Sequence, residues 1–580
     1  MRSPRPVLIA ASLALGVVAA ALAVPAGAAP TQPATASTTA LTTVVPGPVP
    51  APKVDGSLEA VYTVPTRHGP IALNVVHPTS GGKVLRAHGI LTITPYSALG
   101  RNSDASTWVP RGYARMTADA VGTGDSGGCY DYGGTREKET GFDIVQWVAK
   151  QPWSAGRLGM RGGSYDGTTA TATAVMRPPA LATIVPEAAI SRWYDYAYSG
   201  GIRYTLNNEA RGPQGPGSVT DEGLDTPLAF DFGLGTPPPT DVTSPGYAER
   251  LAATMVVCDE VEHTMKGYDT TPDYDAFWVE RDYAALAPKI TIPVMVVHNW
   301  GDWNVKQDTA VRLFNSLTGS KERRLFIGTR WDGHGTPGGT YKATLVAWMD
   351  RWVGGVKNGI EKELPTVTTQ TSSNEGAGAF LTAKSLKTTP LRLGSTGDFQ
   401  LVRGAGSGSG TAGITVTGTG TESAALSDLA PGGHETYAVL TSDVLAQDLR
   451  VLGSPSVKVS VDSGRTWLTL AVSLVDVSTE GAADVAVTRG WLDTRYEKGL
   501  DKQRLSAPGA RTHGVTLKPT DYTFKRGHRI ALVVSGEQAE WVIPKPYDGL
   551  PCATCTGFTL KAGAGTTLTL PVTGSTRALA

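Results

Sequence analysis

Along the first half of the chain, short apolar runs alternate with stretches whose apolar residues recur every three or four positions. Runs of strand character occupy residues 60–64, 71–76, 89–93 and 113–118. Between residues 135 and 150 the period lengthens: Phe142, Val145 and Val148, with Ile144 and Trp147 beside them, predict a helix. A strand at 157–161 runs into Gly162, Gly163 and Ser164, then into Ala/Thr-rich sequence that can continue as helix. Further strands are expected at 181–185, 293–297 and 324–328, and an amphipathic helix at 340–352. Strand and helix in alternation argue for a mostly parallel, doubly wound sheet.

Two regions break the pattern. Residues 191–287 are rich in Tyr, Trp, Gly, Pro and acidic side chains, with a helical run at 274–283. Because they lie between sheet strands, they read as a cap inserted over the site. From 361 to 580 the chain turns to short alternating segments, such as 457–461, 468–472 and 530–534, punctuated by Gly, Thr and Ser. That spacing indicates an all-β sandwich of jelly-roll type. The remaining segments, 53–190 and 288–360, form the α/β part.

The N-terminus changes the picture of where the protein works. Arg2 and Arg5 precede an apolar run over residues 7–24, and Ala26 and Ala28 satisfy the small-residue cleavage rule, so residues 1–28 read as a signal peptide. Residues 29–52, nearly uncharged Pro, Thr, Ala and Val, form a flexible linker. No second apolar run approaches the length of a membrane span, so an exported protein with no membrane partner after cleavage is expected. The balance of 52 basic against 52 acidic residues argues against a nucleic acid partner. Four cysteines in an exported chain suggest two disulfides, with three possible connectivities. Cys552 and Cys555 are close enough for a small loop, which would leave Cys129 to pair with Cys258. The Cys552/Cys555 pair lacks the second ligand pair that zinc requires, and no metal site is expected.

Candidate chemistry centres on Ser164. A serine on a sharp strand-to-helix turn, flanked by small residues, is the nucleophile elbow of an α/β-hydrolase. The generic motif is G-x-S-x-G; here Asp166 stands at the second glycine position and Gly167 follows it. A serine hydroxyl needs a general base, and the base an orienting acid. In this fold they follow in the order Ser, acid, His. Asp302, just past the strand at 293–297, and His334, just past the strand at 324–328, occupy those places. His298 would reverse the order, and Asp332 lies too close to His334 along the chain. The oxyanion requires two donors: the backbone N–H of Tyr165, and a group from the loop 94–97, where the Tyr96 phenol can serve. The run Gly122–Gly127 matches a dinucleotide fingerprint, but no helix promptly follows it, so it reads as a structural loop and no organic cofactor is expected.

With these residues in place, the chain resembles the Xaa-Pro dipeptidyl-peptidase family of serine peptidases, which includes cocaine-esterase-like hydrolases and α-amino-acid ester hydrolases. Ser164, Tyr165 and Gly167 match that family's own G-x-S-Y-x-G elbow. Gln151, Pro152, Trp153 and Ser154 before the elbow strand match a family signature, as does the run 122–127. The stretch 299–306 resembles the acid loop of the peptidases, and Thr94, Pro95 and Tyr96 the loop whose tyrosine completes the oxyanion hole in the esterases. Residues 275–278 with Arg281 resemble a cap segment, and residues 488–492, 519–522 and 527–530 the non-catalytic β-domain. Val121 departs from the pattern, since the family commonly carries arginine there. The resemblance implies an α/β-hydrolase domain, a helical cap and a jelly-roll domain.

The implied activity is release of N-terminal Xaa-Pro dipeptides. A dipeptidyl-peptidase must bind a free ammonium and a proline ring. Asp259, Glu260 and Glu262 are candidates for the ammonium, and Trp193, Tyr194, Tyr196 and Tyr198 supply aromatic walls. Two other readings use the same sequence: an esterase or amide acylase with the same triad acting on small esters or amides, and a non-catalytic protein whose jelly roll binds carbohydrate or a surface.

Overall fold

The computed structural model describes residues 53–96, 102–204, 258, 271–329, 333–369, 381–383, 388–418, 420–479, 484–543 and 557–579. The first sheet runs in the order Gly56–Thr66, Gly69–Ser80, Tyr113–Asp119, Ala87–Thr94, Ser154–Gly163, Leu181–Glu187, Val294–Asn299, Arg323–Gly328, Val367–Thr369, Leu381–Ala383. From Tyr113–Asp119 through Val367–Thr369 every pairing is parallel, and the flanking strands pair antiparallel. The central strands are buried on both faces, as parallel strands between helices must be: Leu91, Met116, Met160 and Ile184 are all inaccessible to solvent. Each such side chain contributes roughly 1.5–3 kcal/mol relative to exposure.

The helix Thr135–Ala149 lays Ile144, Val145 and Val148 onto this sheet, as their spacing predicts. The helix Tyr341–Trp352 buries Leu345, Trp348 and Met349 in a cluster with Met295 and Phe326. The run at 274–283 is two short helices rather than one, Ala276–Glu280 and Tyr283–Leu286. Each begins on an aspartate: Asp275 accepts from the N–H groups of Phe277 and Trp278, and Asp282 from that of Ala285. An N-cap ends one helix as it starts the next. The loop after Tyr113–Asp119 is tied by its own polar groups, with Asp125 N–H donating to Asp119 Oδ2 (2.7 Å) and Ser126 Oγ to the Asp119 carbonyl (2.9 Å). No helix starts between Asp119 and Thr135, so the 122–127 run is a structural loop.

The C-terminal region is an all-β sandwich of jelly-roll type, with strands from Thr389–Ser395 to Thr567–Thr573 that pair mostly antiparallel. Its core holds Leu440, Leu470, Val472, Leu474, Leu532 and Val534. The sheet-forming segments Val367–Thr369 and Leu381–Ala383, which the alternating pattern groups with this region, extend the first sheet instead. A small sheet of Tyr198–Ser199, Ile202–Tyr204 and Val542–Ile543 stitches the two regions together.

Candidate active site

The strand Ser154–Gly163 turns into the helix Tyr165–Val175 at Ser164, whose φ is 59° and ψ −126°. A non-glycine residue at such angles is strained, and the surroundings enforce it. The Ser164 N–H donates to the Glu187 carbonyl (2.8 Å), while its carbonyl accepts from the N–H groups of Gly167 and Thr168. The close approach of strand and helix also explains the displaced glycine. A Cβ at Gly167 would stand 2.7 Å from the Gly162 carbonyl oxygen and 2.8 Å from that of Glu187. The Ser164 hydroxyl makes no cap on the helix; it lies 3.2 Å from the Tyr96 hydroxyl. Tyr165, the first helical residue, has its N–H at the positive end of the helix dipole.

Asp302 follows the strand Val294–Asn299 and is 0% exposed. Its Oδ1 accepts from the N–H groups of Asn304 (3.1 Å) and Val305 (2.9 Å), and Oδ2 lies 2.9 Å from His334 Nδ1. A carboxylate can only accept, so Nδ1 carries the proton and Nε2 is the nitrogen facing away from the acid. His298, the competing base, is buried: its Nε2 donates to the Val305 carbonyl (2.8 Å) and stands 3.5 Å from Asp302 Oδ2. Burial pushes its pKa down, so the ring packs as a neutral neighbour of the acid. Asp302 and His334 therefore meet as their order in the chain implies, and Tyr96 meets Ser164.

Several contributors carry no local signal in the sequence. Asn299 Nδ2 donates to the carbonyls of Gly333 (3.2 Å) and Gly335 (2.7 Å), bracketing His334. Glu137 Oε1 accepts from the Tyr165 hydroxyl (2.6 Å) and the Gly133 N–H (2.7 Å), which anchors the ring next to Ser164. Burial, and then the Asp131 carboxylate, push the Glu137 carboxyl above the usual range. Beneath the elbow, Arg161 bridges Glu187 (2.6 Å) and Asp104 (2.8 Å). Asp166 is half-buried as a residue, yet its Oδ1 is sealed from solvent and unpartnered, and burial pushes its carboxyl up to about 7.

Trp193, Tyr194, Tyr196 and Tyr198 are buried. Trp193 packs against Tyr165 (ring centroids 5.3 Å apart) and Tyr132 (4.4 Å), and the Tyr196 hydroxyl donates to Asn304 Oδ1 (3.1 Å). Cys129 and Cys258 are joined, with Cα atoms 5.6 Å apart. Tyr130, beside Cys129, packs on Tyr165 (6.2 Å). Asp259, Glu260, Glu262, Cys552 and Cys555 lie outside the described residues, as do the expected signal peptide and the whole linker. Among the described residues no cluster of side chains is arranged to hold a metal ion, and no helix is long and apolar enough to cross a membrane.

Comparison with known proteins places these features in context. Residues 70–334 match the family model of the X-Pro dipeptidyl-peptidases (S15 family), and residues 358–563 that of the X-Pro dipeptidyl-peptidase C-terminal non-catalytic domain. A Bacillus cereus protein provisionally named Xaa-Pro dipeptidyl-peptidase is 29% identical over 506 residues, which are 82% of this chain and 77% of that protein. An aminopeptidase from a marine sediment Thaumarchaeota archaeon superposes with a TM-score of 0.68 at 17% identity, covering 91% of this chain and 99% of its own. An α-amino acid ester hydrolase gives 0.67 at 17% identity, covering 93% and 100%. At that identity the two structures show the shared fold.

Proposed function

Because the chain belongs to the X-Pro dipeptidyl-peptidase (S15) family, we propose that it is an exported serine peptidase releasing N-terminal Xaa-Pro dipeptides through Ser164, His334 and Asp302. The observation that carries this reading is the 2.9 Å contact between His334 Nδ1 and Asp302 Oδ2, in a chain whose elbow serine presents its hydroxyl to Tyr96 rather than to its own helix.

His334 Nε2 takes the proton of Ser164 as Oγ attacks the proline carbonyl carbon, and the carbonyl π electrons move onto oxygen to give an oxyanion. The Tyr165 N–H and the Tyr96 hydroxyl stabilise that charge, an effect of the kind worth about 10²–10³ in rate per donor. The imidazolium then protonates the leaving amine as the C–N bond breaks. Water, deprotonated by His334, attacks the acyl-enzyme and releases the dipeptide. Asp302 holds the imidazole tautomer that makes both transfers possible.

Export is supported by the N-terminal sequence and by the joined Cys129 and Cys258, a pairing suited to an oxidising compartment. For the substrate ammonium, Asp259, Glu260 and Glu262 remain the candidates: they follow Cys258, whose partner Cys129 adjoins Tyr130 on the Tyr165 ring. Labelling with a fluorophosphonate, followed by peptide mapping, tests the nucleophile. Modification of Ser164 supports the mechanism, and modification elsewhere with a reactive Ser164→Ala variant refutes it. Undiminished cleavage of a free-amine substrate after replacing Asp259, Glu260 and Glu262 together by Ala would refute their role.

A further inference from the structure

The β-domain meets the loop of Asp302 through a buried cation. Arg489, on the strand Val485–Asp493, is 2% exposed, and so is its partner Glu422. Arg489 Nε lies 2.8 and 2.7 Å from the two Glu422 oxygens, and a terminal nitrogen lies 2.6 Å from Oε2. The Ser473 hydroxyl and the Trp541 indole N–H (3.0 Å) complete the carboxylate's partners. The guanidinium carbon stands 4.3 Å from the Trp541 ring centroid and 4.6 Å from that of Trp303. Trp303 is the residue directly after Asp302, and its ring also packs against Trp541 (5.4 Å) and Trp491 (6.5 Å, edge-on).

A buried ion pair is a poor device for stability alone, because desolvation offsets most of the attraction and an apolar replacement is often as stable. What it supplies here is orientation. Glu422 fixes the plane of the guanidinium, and a planar cation holds an aromatic ring within about 6 Å in a way an aliphatic chain cannot. Trp303 is thereby anchored in the β-domain, while the next two backbone N–H groups, of Asn304 and Val305, hold Asp302 Oδ1. The same loop is pinned on either side. Trp300 Nε1 donates to Thr369 Oγ1 (2.8 Å), which donates to Asp521 (2.9 Å). Lys518, whose N–H donates to the Arg489 carbonyl (2.8 Å), pairs with Asp308 (2.6 Å).

We propose that Arg489 is a positioning residue for the reaction: through Trp303 it sets the 302–305 turn and so aims the Asp302 carboxylate at His334, which makes the β-domain part of the catalytic machinery. This rests on the reading of Ser164, His334 and Asp302 as the triad.

A double-mutant cycle on the full chain, with an Ala-Pro arylamide as substrate, tests it. Replacing both charges, Glu422→Gln with Arg489→Met, avoids stranding one of them in the core. The expected result is a roughly tenfold fall in kcat with KM within about twofold of wild type, at an unchanged circular dichroism spectrum. Trp303→Leu lowers kcat similarly, and the combination is no slower than Trp303→Leu alone, because both act on one turn. Unchanged kcat, a change confined to KM, or effects that multiply would overturn the proposal. Should the charge-free variant not fold, Trp303→Phe carries the same test: kcat falls severalfold, or the proposal is wrong. Wild-type activity in Ser164→Ala would instead remove the triad reading on which the inference stands.

Discussion

Asn299 holds the loop of His334 from both sides, its Nδ2 donating to the carbonyls of Gly333 (3.2 Å) and Gly335 (2.7 Å). The strand that delivers Asp302 thus also fixes His334, so the two loops are braced against each other before any substrate arrives. Asn299→Ala removes both bonds, each worth about 1 kcal/mol. The expected outcome is a fall in kcat of about tenfold with little change in KM, read from steady-state kinetics on an Ala-Pro arylamide.

Asp302→Asn leaves an oxygen to accept from Asn304 and Val305 but turns an amide donor toward His334 Nδ1. The imidazole must then carry its proton on the nitrogen that should act as base. By analogy with the same change in other triads, kcat falls by about 10⁴-fold while folding is retained. The kinetic assay with a thermal denaturation control checks both halves.

Tyr96→Phe deletes the hydroxyl 3.2 Å from Ser164 Oγ and keeps the ring that meets Tyr165 edge-on at 6.5 Å. A fall in kcat of about 10²-fold is expected, with Tm unchanged, if this hydroxyl is the proposed donor to the developing oxyanion. Equal activity would place the second donor elsewhere.

Asp166 links the elbow to pH. Burial raises its carboxyl to about 7 in the folded chain, against about 3.9 unfolded. Between those values the folded state retains a proton that the unfolded state has released, so stability falls as pH rises through that window and is lowest above 7. Asp166→Asn removes the titration. Its unfolding free energy should match wild type near pH 4 and exceed it above pH 7, by up to about 4 kcal/mol for a shift of roughly three pKa units. A variant less stable than wild type at pH 8 would show that the ionised form is the one this site favours.

How much of this was legible from sequence depended on range. The elbow, and the sequence of Ser164, Asp302 and His334, could be read because each residue sits just past a strand with its own local apolar signature. The strands Val367–Thr369 and Leu381–Ala383 could not be assigned to the first sheet, since three residues are too few to show a period. The break at Asp282 was hidden because an aspartate inside a helical run looks like an exposed side chain until its cap to Ala285 is seen. Asn299, Glu137 and Arg489 act across separations of 28 to 67 residues or through the β-domain, and a single sequence gives no sign of such partners. The identity of the elbow's extra residue was legible; the sealed oxygen of Asp166 was not.

The central claim is that Ser164 of this chain cleaves after proline in peptides with a free amino terminus. The most direct measurement is hydrolysis of an Ala-Pro arylamide by the secreted protein, beside the N-acylated arylamide, a simple phenyl ester and the Ser164→Ala variant. The account predicts rapid cleavage of the free-amine arylamide, little of its N-acylated form, and loss of cleavage in Ser164→Ala. Ester hydrolysis with an inert arylamide would contradict it and make the protein an esterase or acylase on the same scaffold.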